Sequence, residues 1–277
     1  MYCKGDFHMH TNASDGKYSP KELISLAKEK GIDILAITDH DTTDNLGDAI
    51  ETGLDLNVKV IPGIELSTLH NKESIHILGY FKDDSFKNKN FQDFLKDMKE
   101  YRIWRAKKII DNLYMFFKIK IDYETILKNS NGVIARPHIA KAIMESGYNY
   151  TFDFIFRNIL NDKSPAYVPN KKISIDEGIK LLKSVNATVV LAHPVLIKNT
   201  SLEEIIKFDF DGIEAIYPAN TEKDTNRLID IAKKHNKIIT AGSDFHTGDE
   251  SDTKHGRLGD IYLDEEGIQK FLNALNS

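Results

Sequence analysis

Apolar positions along much of this chain alternate between two patterns. Short unbroken runs ending in polar residues read as buried strands, and longer stretches with apolar residues three or four apart read as amphipathic helices. The run "IDILAITDHD" (32–41) and the run "VKVIPGIELST" (58–68) are of the first kind, with "ESIHILGYF" (73–81) as a further extended stretch. Between them, "SPKELISLAKEKG" carries both helix termini: Ser19 as N-cap, Pro20 at the first position, Glu22 in the first turn and Gly31 beyond the end. A further helix is expected near Asp44 to Leu56. Strand, helix, strand in this order predicts a parallel sheet.

The pattern changes from Lys89 to Ser164. "FQDFLKDMKEYRIWRAKKIIDNLYMFF" predicts one long helix, and "YETILKNS", "RPHIAKAIMESG" and "FDFIFRNIL" predict three shorter ones. The alternation then resumes with strands at "TVVLAHP", "DGIEAIY", "KIITAGSDFH" and "GDIYLD", separated by helical stretches and closed by the helix "EEGIQKFLNAL". The expected organisation is an α/β barrel or doubly wound sheet formed by 1–88 and 165–277, with 89–164 as a helical insertion. A length of 277 residues suits that reading, because α/β barrels commonly run to about 250 residues as one unit.

Composition narrows the chemistry. Cys3 is the only cysteine, so one chain can form neither a disulfide framework nor a thiolate cluster. A net charge of −5 does not favour long duplex nucleic acid as a partner, while a small phosphorylated ligand remains compatible if cations are bound locally. The start "MYCKGDF" lacks an apolar stretch of signal-peptide length, and no run approaches the ~20 apolar residues of a membrane span. A cytoplasmic protein with no membrane partner is the expectation.

Metal-type side chains stand in or just beyond the predicted strands. In "DFHMHTNASDG", His8 and His10 are two apart, so on an extended strand both imidazoles point to one face. Asp15 follows them; His40, Glu65, His76, His193, Asp244 and His246 stand in or after later strands. In a parallel barrel the C-terminal strand ends open on one face, the face that carries active sites. Nine imidazoles and carboxylates are enough for two or three ions, and this donor set suits manganese, zinc or iron.

"HMHTNASDG", "ITDHD", "GIELS", "HILGY", "LAHP" and "GSDFH" together resemble the PHP phosphoesterases, a family named for polymerase and histidinol phosphatase. The resemblance implies a distorted seven-stranded (β/α) barrel with two or three divalent ions held by the nine residues above, and hydrolysis by a metal-held hydroxide. "RPHIA", the insertion and the length are similar to a small bacterial branch acting on nucleoside 5′-monophosphates or 3′,5′-bisphosphates and trimming short RNA from its 5′ end. Histidinol-phosphate hydrolysis and a noncatalytic metal-binding module are the alternatives.

Around that centre, Asp39 and Asp41 flank His40 and either is expected to orient a ligand, with Asp39 counted among the catalytic residues, and Glu214 is expected to orient a ligand or meet substrate. Arg136 can fork two hydrogen bonds to a phosphate, and Pro137 at a helix start leaves His138 in the first turn, where anions bind. With the resemblance, Arg136 and His138 are read as substrate-binding and catalytic, His138 either as a phosphate contact or as the acid that protonates the leaving group. Lys171, Lys172 and Arg257 are further phosphate-contact candidates. His70, His235 and His255 are assigned to loops or helix surfaces.

Overall fold

A computed structural model describes residues 2–128, 134, 136–169, 171–249, 252 and 255–277. The chain packs as two compact units, 1–92 with 172–277, and 93–171.

In the first unit, a sheet is ordered β1 (Gly5–Asp6), β2 (Ile34–Ile37), β3 (Lys59–His70), β4 (Glu73–Tyr80), β6 (Thr188–Leu191), β7 (Gly212–Ile216) and β8 (Ile238–Ala241); β5 (Ile173–Ser174) pairs with β3. The path nearly closes on itself, since the Phe7 amide donates to the Ala241 carbonyl at 2.9 Å and Met9 bridges Phe245 in parallel. The result is an α/β barrel-shaped sheet.

Two expectations are corrected here. β4 runs antiparallel to both β3 and β6, because Asn71 and Lys72 adopt φ of 47° and 67° and close a two-residue hairpin of the kind that matches strand twist. Among the described residues "GDIYLD" forms no strand: Leu263 makes an isolated antiparallel bridge to Gly5, and Gly259 sits at φ +88° in a turn.

The helices between strands follow their end signals. In α1 (Pro20–Glu29) the Ser19 hydroxyl accepts from the Glu22 amide while the Glu22 carboxylate accepts from the Ser19 amide, a complete capping box. Ser174 and Glu177 do the same for α7 (Ile175–Lys183), as do Thr221 and Asp224 for α9 (Glu222–Lys234). Helix α2 spans Leu46–Leu56 and α8 only Leu202–Ile205. The last helix, α10 (Glu265–Leu275), places Phe271 against Phe7 with ring centroids 4.3 Å apart and against Tyr80 at 5.0 Å. Tyr80 ends the reversed strand, so α10 closes the end of the barrel where the parallel strands begin.

The second unit is helical and has its own core of Leu113, Ile119, Ile139, Ile143, Ile155 and Ala166. Its helices are α3 (Lys89–Phe117, beginning in the first unit), α4 (Tyr123–Lys128), α5 (Arg136–Glu145) and α6 (Phe152–Phe154). Asn129 and Ser130, read as the end of the α4 stretch, lie outside the described residues. The stretch "FDFIFRNIL" is not one α-helix, since a π-helical turn at Ile155–Ile159 continues from α6.

Candidate metal centre

Three left-handed residues shape the site. Asp41, His193 and Asp244 have φ of 51°, 28° and 53°, conformations costly for residues with a Cβ and concentrated at functional sites. Each follows a strand, and each turns the chain over the open end of the barrel.

The turn after β1 brings Asp15 back. The Asn12 amide donates to the Tyr18 carbonyl, and the Ser14 and Gly16 amides donate to Thr11. A Cβ on Gly16 would overlap the His10 carbonyl, so glycine is required for the close return. Asp39 fastens this turn, accepting from the Thr11 amide (2.8 Å), the Thr11 hydroxyl (2.5 Å) and the Ser14 hydroxyl (2.6 Å). Ser14 Oγ in turn lies 3.4 Å from His10 Nδ1. Asp39 thus reaches the imidazoles through Ser14.

Glu65 stands at the centre. It is buried at the middle of β3, and His40, just beyond the adjacent strand β2, bridges it directly in parallel. Its Oε2 lies 3.3 Å from His8 Nε2, 3.3 Å from His10 Nε2 and 3.0 Å from His40 Nδ1. Its Oε1 lies 2.8 Å from His76 Nδ1 and 2.9 Å from His193 Nε2. His76 reaches it because the antiparallel register sets His76 opposite Ser67, on the same face as Glu65.

Asp244 provides the second carboxylate, with Oδ1 3.3 Å from His8 Nε2 and 3.1 Å from His10 Nε2. The Tyr217 hydroxyl donates to its Oδ2 at 2.8 Å. Asp15, half exposed, lies 3.2 Å from His246 Nε2 and 3.8 Å from His40 Nε2. The nine residues expected to hold metal are therefore gathered in one cluster, within the first unit.

The donors fit a cation. His8 Nε2, His10 Nε2, His40 Nδ1 and Glu65 Oε2 are buried and face one another at 3.0–3.3 Å, yet make no well-directed hydrogen bond among the described residues. Leaving such atoms unpaired is costly, and a divalent ion among them would satisfy all four. Among the described residues four overlapping sets of donor atoms converge closely enough to hold an ion: His10, Asp15, His40 and His246; His8, His10, Glu65 and Asp244; His40, Glu65 and His76; and Asp244, His246 and His255. The His8 tautomer agrees, because Nδ1 donates to Glu214 at 2.9 Å and leaves the Nε2 lone pair for the cluster.

Electrostatics tell the same story. Burial pulls the His10 imidazole down, but Asp244 and Glu65 more than offset this and hold it at about 10. His8 and His40 are likewise raised by their carboxylate neighbours against burial. Burial raises Glu65 and Asp244, and the surrounding imidazoles outweigh it, holding both well below the usual carboxylate range. Without a cation, protons supply the positive charge that these buried carboxylates require.

The remaining sequence candidates divide between the two units. Arg136 Nη1 donates to the Leu160 carbonyl at 3.2 Å and pairs with Asp162 at 3.0 Å, and His138 lines a cavity of about 460 Å³ with Lys120 and Lys141, all within the helical unit. The expected helix start moves by one residue, since α5 begins at Arg136 itself. Lys171 belongs to the helical unit; Lys172, in the first unit, donates to Ser74 Oγ at 2.7 Å. Arg257 sits in a turn closed by the Asp260 amide.

Three participants escaped the sequence reading. His255, assigned there to a loop or helix surface, stacks on His246 with centroids 4.0 Å apart and bonds Asp252 through Nδ1 at 2.9 Å. Tyr217 has only its place after "GIEAI" to mark it. Asp6, wholly buried, accepts from the His8 and Ser243 amides, and burial pushes its carboxyl up to about 7.

Similarity to known proteins matches this geometry. A 5′-3′ exoribonuclease Rnm of Salmonella typhimurium is 32% identical over 252 residues, covering 87% of this chain and 84% of the relative. A 3′,5′-nucleoside bisphosphate phosphatase of Chromobacterium violaceum is 26% identical over 265 residues, 92% of each chain. The crystal structure of a candidate metal-dependent phosphoesterase from Bifidobacterium adolescentis superposes with a TM-score of 0.79 at 27% identity, over 98% of this chain and 96% of that one. The PHP domain family model matches residues 6–155, from the first strand through His8, His10, Asp15, His40, Glu65 and His76. On these grounds the chain belongs to the PHP domain family.

Proposed function

We propose that this protein is a metal-dependent phosphoesterase that removes phosphate from nucleotides, with nucleoside 3′,5′-bisphosphates, nucleoside 5′-monophosphates and the 5′ end of short RNA as its substrate class. The observation that carries this reading is the convergence of buried His8, His10, His40 and Glu65 atoms on shared points inside the barrel mouth. The relatives named as an exoribonuclease and a bisphosphate phosphatase support the nucleotide class.

Two or three divalent ions, manganese, zinc or iron, suit the donor set. Bound there, they supply positive charge to a phosphoryl oxygen and acidify a water molecule. The chain's own residues do the rest. Glu65, His8, His10, His40, His76, His193, Asp244, His246 and Asp15 hold the centre, and Glu214 keeps His8 in the tautomer that presents Nε2. Asp39 and Ser14 keep the Asp15 turn in place. Tyr217 fixes the Asp244 carboxylate by donating to Oδ2, so that Oδ1 faces His8 and His10.

The helical unit, in this reading, caps the substrate. Arg136 supplies a fork suited to phosphate, His138 a proton for the leaving oxygen or a phosphate contact, and Lys171, Lys172 and Arg257 further cationic contacts. The nucleotide and RNA pools of the cytoplasm are the expected setting. Among the described residues no helix is long and apolar enough to cross a membrane.

The test is phosphate release from manganese-loaded protein given adenosine 3′,5′-bisphosphate, adenosine 5′-monophosphate, histidinol phosphate and a 5′-phosphorylated RNA in parallel. Preference for the bisphosphate or the RNA is expected. Turnover of histidinol phosphate alone would overturn the substrate class.

A further inference from the structure

The helical unit differs in charge from the rest of the chain. Residues 93–171 contain fourteen Lys and Arg against nine Asp and Glu, a net of about +5, within a chain whose net charge is −5. Such asymmetry marks a segment that meets polyanions.

On this cationic unit, aromatic rings stand in the open. Tyr150, Phe152 and Phe154 are 39%, 46% and 43% exposed, within five residues of one another. Two of them continue an ordered series: the Tyr150 ring is parallel to Tyr148 within 6°, centroids 6.5 Å apart, and Phe154 is parallel to Tyr150 within 6° at 5.1 Å. The series is anchored at its base, where the Tyr148 hydroxyl accepts from the Lys120 amide at 2.7 Å and donates to the Lys118 carbonyl at 3.3 Å. It is anchored at its far end by Thr151, whose hydroxyl accepts from the Phe154 amide at 3.2 Å.

Those anchors are main-chain contacts: they bring the backbone of Lys118 and Lys120 to the foot of the ring series, while the Lys118 ammonium donates to the Met115 carbonyl at 3.4 Å. Lys120 also lines a cavity with His138 and Lys141, in which Asp122 and Glu145 supply carboxylates. Flat apolar faces held in one orientation on a unit of net positive charge have the makeup of a single-strand binding surface, in which bases stack and cations meet the backbone. Prior ordering of the rings lowers the entropy cost of stacking. A second copy of the chain is the poorer occupant, because it would bring two units of the same sign together.

We propose that the ordered rings of Tyr148, Tyr150 and Phe154, on this cationic unit, form a stacking surface for the bases of single-stranded RNA. This rests on the preceding reading that the substrate is a nucleotide or a short RNA. It adds that the helical unit gives the enzyme affinity for RNA beyond a single nucleotide.

The test pairs Y150A/F154A with Y150W/F154W in the full-length protein. Binding of a 3′-fluorescein RNA hexamer is followed by fluorescence anisotropy in EDTA, where no cleavage interferes. Turnover of adenosine 3′,5′-bisphosphate is followed separately with manganese. The alanine variant is expected to bind the hexamer about tenfold more weakly or worse, a loss typical of removing base stacking. Its bisphosphate turnover and melting temperature stay at the wild-type values, and the tryptophan variant restores hexamer binding. Unchanged hexamer binding in the alanine variant overturns the proposal. So does a wild-type dimer that this variant converts to monomer with hexamer binding intact, which would assign the face to a second copy. If wild-type protein hydrolysed none of the nucleotides, the preceding reading would fall while the anisotropy experiment still decided the fate of this surface.

Discussion

Glu214 and His8 form a buried pair in which the imidazole Nδ1 donates to Oε1 at 2.9 Å, while the other oxygen of Glu214 accepts from the His193 amide at 2.8 Å. One carboxylate therefore sets a ring and a strand end of the same centre. The fit is close enough that a Cβ on the neighbouring Gly242 would overlap both His8 and Glu214.

Supporting carboxylates of this kind are worth about 10–100-fold in metal affinity. Glu214→Gln is expected to weaken manganese binding by about that factor in calorimetric titration, with the thermal unfolding of the metal-free protein little changed, since the amide oxygen can still accept from one donor. Wild-type metal affinity in this variant would show that the pair has no part in holding the centre.

The closed end of the barrel sets stability. Phe271 is fully buried against Phe7 and Tyr80. Phe271→Ala is expected to cost about 3–5 kcal/mol by loss of buried area and creation of a cavity. Denaturant unfolding measures this, and a loss below about 1 kcal/mol would mean that α10 is not the plug of the barrel.

The metal-free protein should lose stability as pH rises. Burial lowers and the carboxylates raise His10, to about 10 against an ordinary 6.5, so the folded state holds this proton where the unfolded state has released it. Its contribution is fully present below about 6.5 and disappears as pH rises toward 10. A melting series from pH 6.5 to 10 in EDTA is expected to fall, and saturating manganese to flatten it, because the ion takes over from the proton. An equal slope with and without manganese would contradict this.

Arg136 tests the role of the helical unit. Its pairing with the exposed Asp162 is a surface ion pair of about 0–1 kcal/mol, too weak to make the arginine a structural necessity. Arg136→Ala is expected to raise KM for nucleotide substrates about tenfold or more, the scale of a lost charged hydrogen bond, at little cost in melting temperature. Asp162→Ala is the control and should leave KM near wild type. Unchanged kinetics in Arg136→Ala would remove this residue from the site.

Much of the barrel was legible because its signals are local. Ser19 with Glu22, and the short buried run of β2, specify their elements through neighbouring residues alone. The direction of β4 was not legible in the same way, since "HNKE" gives a hairpin only through left-handed Asn71 and Lys72, which lack the usual glycine. Among site residues, those in or just after strands were visible because barrel topology gathers them. His255 was not, because it stands outside any strand and meets His246 only through the tertiary path of the chain. Asp6 was hidden for another reason: its role is to hold the His8 and Ser243 amides, and no side-chain pattern announces a backbone contact.

The central claim is that the cluster around Glu65 is a metal centre on which phosphate hydrolysis depends. It is tested most directly by measuring metal content and phosphate release together, on wild type and Glu65→Gln, after EDTA stripping and again after manganese is restored. Release from adenosine 3′,5′-bisphosphate that vanishes with the metal, returns with it in wild type, and stays absent in a Glu65→Gln protein of reduced metal content is the predicted result. Undiminished release from stripped wild-type protein shown to contain no metal would contradict the account.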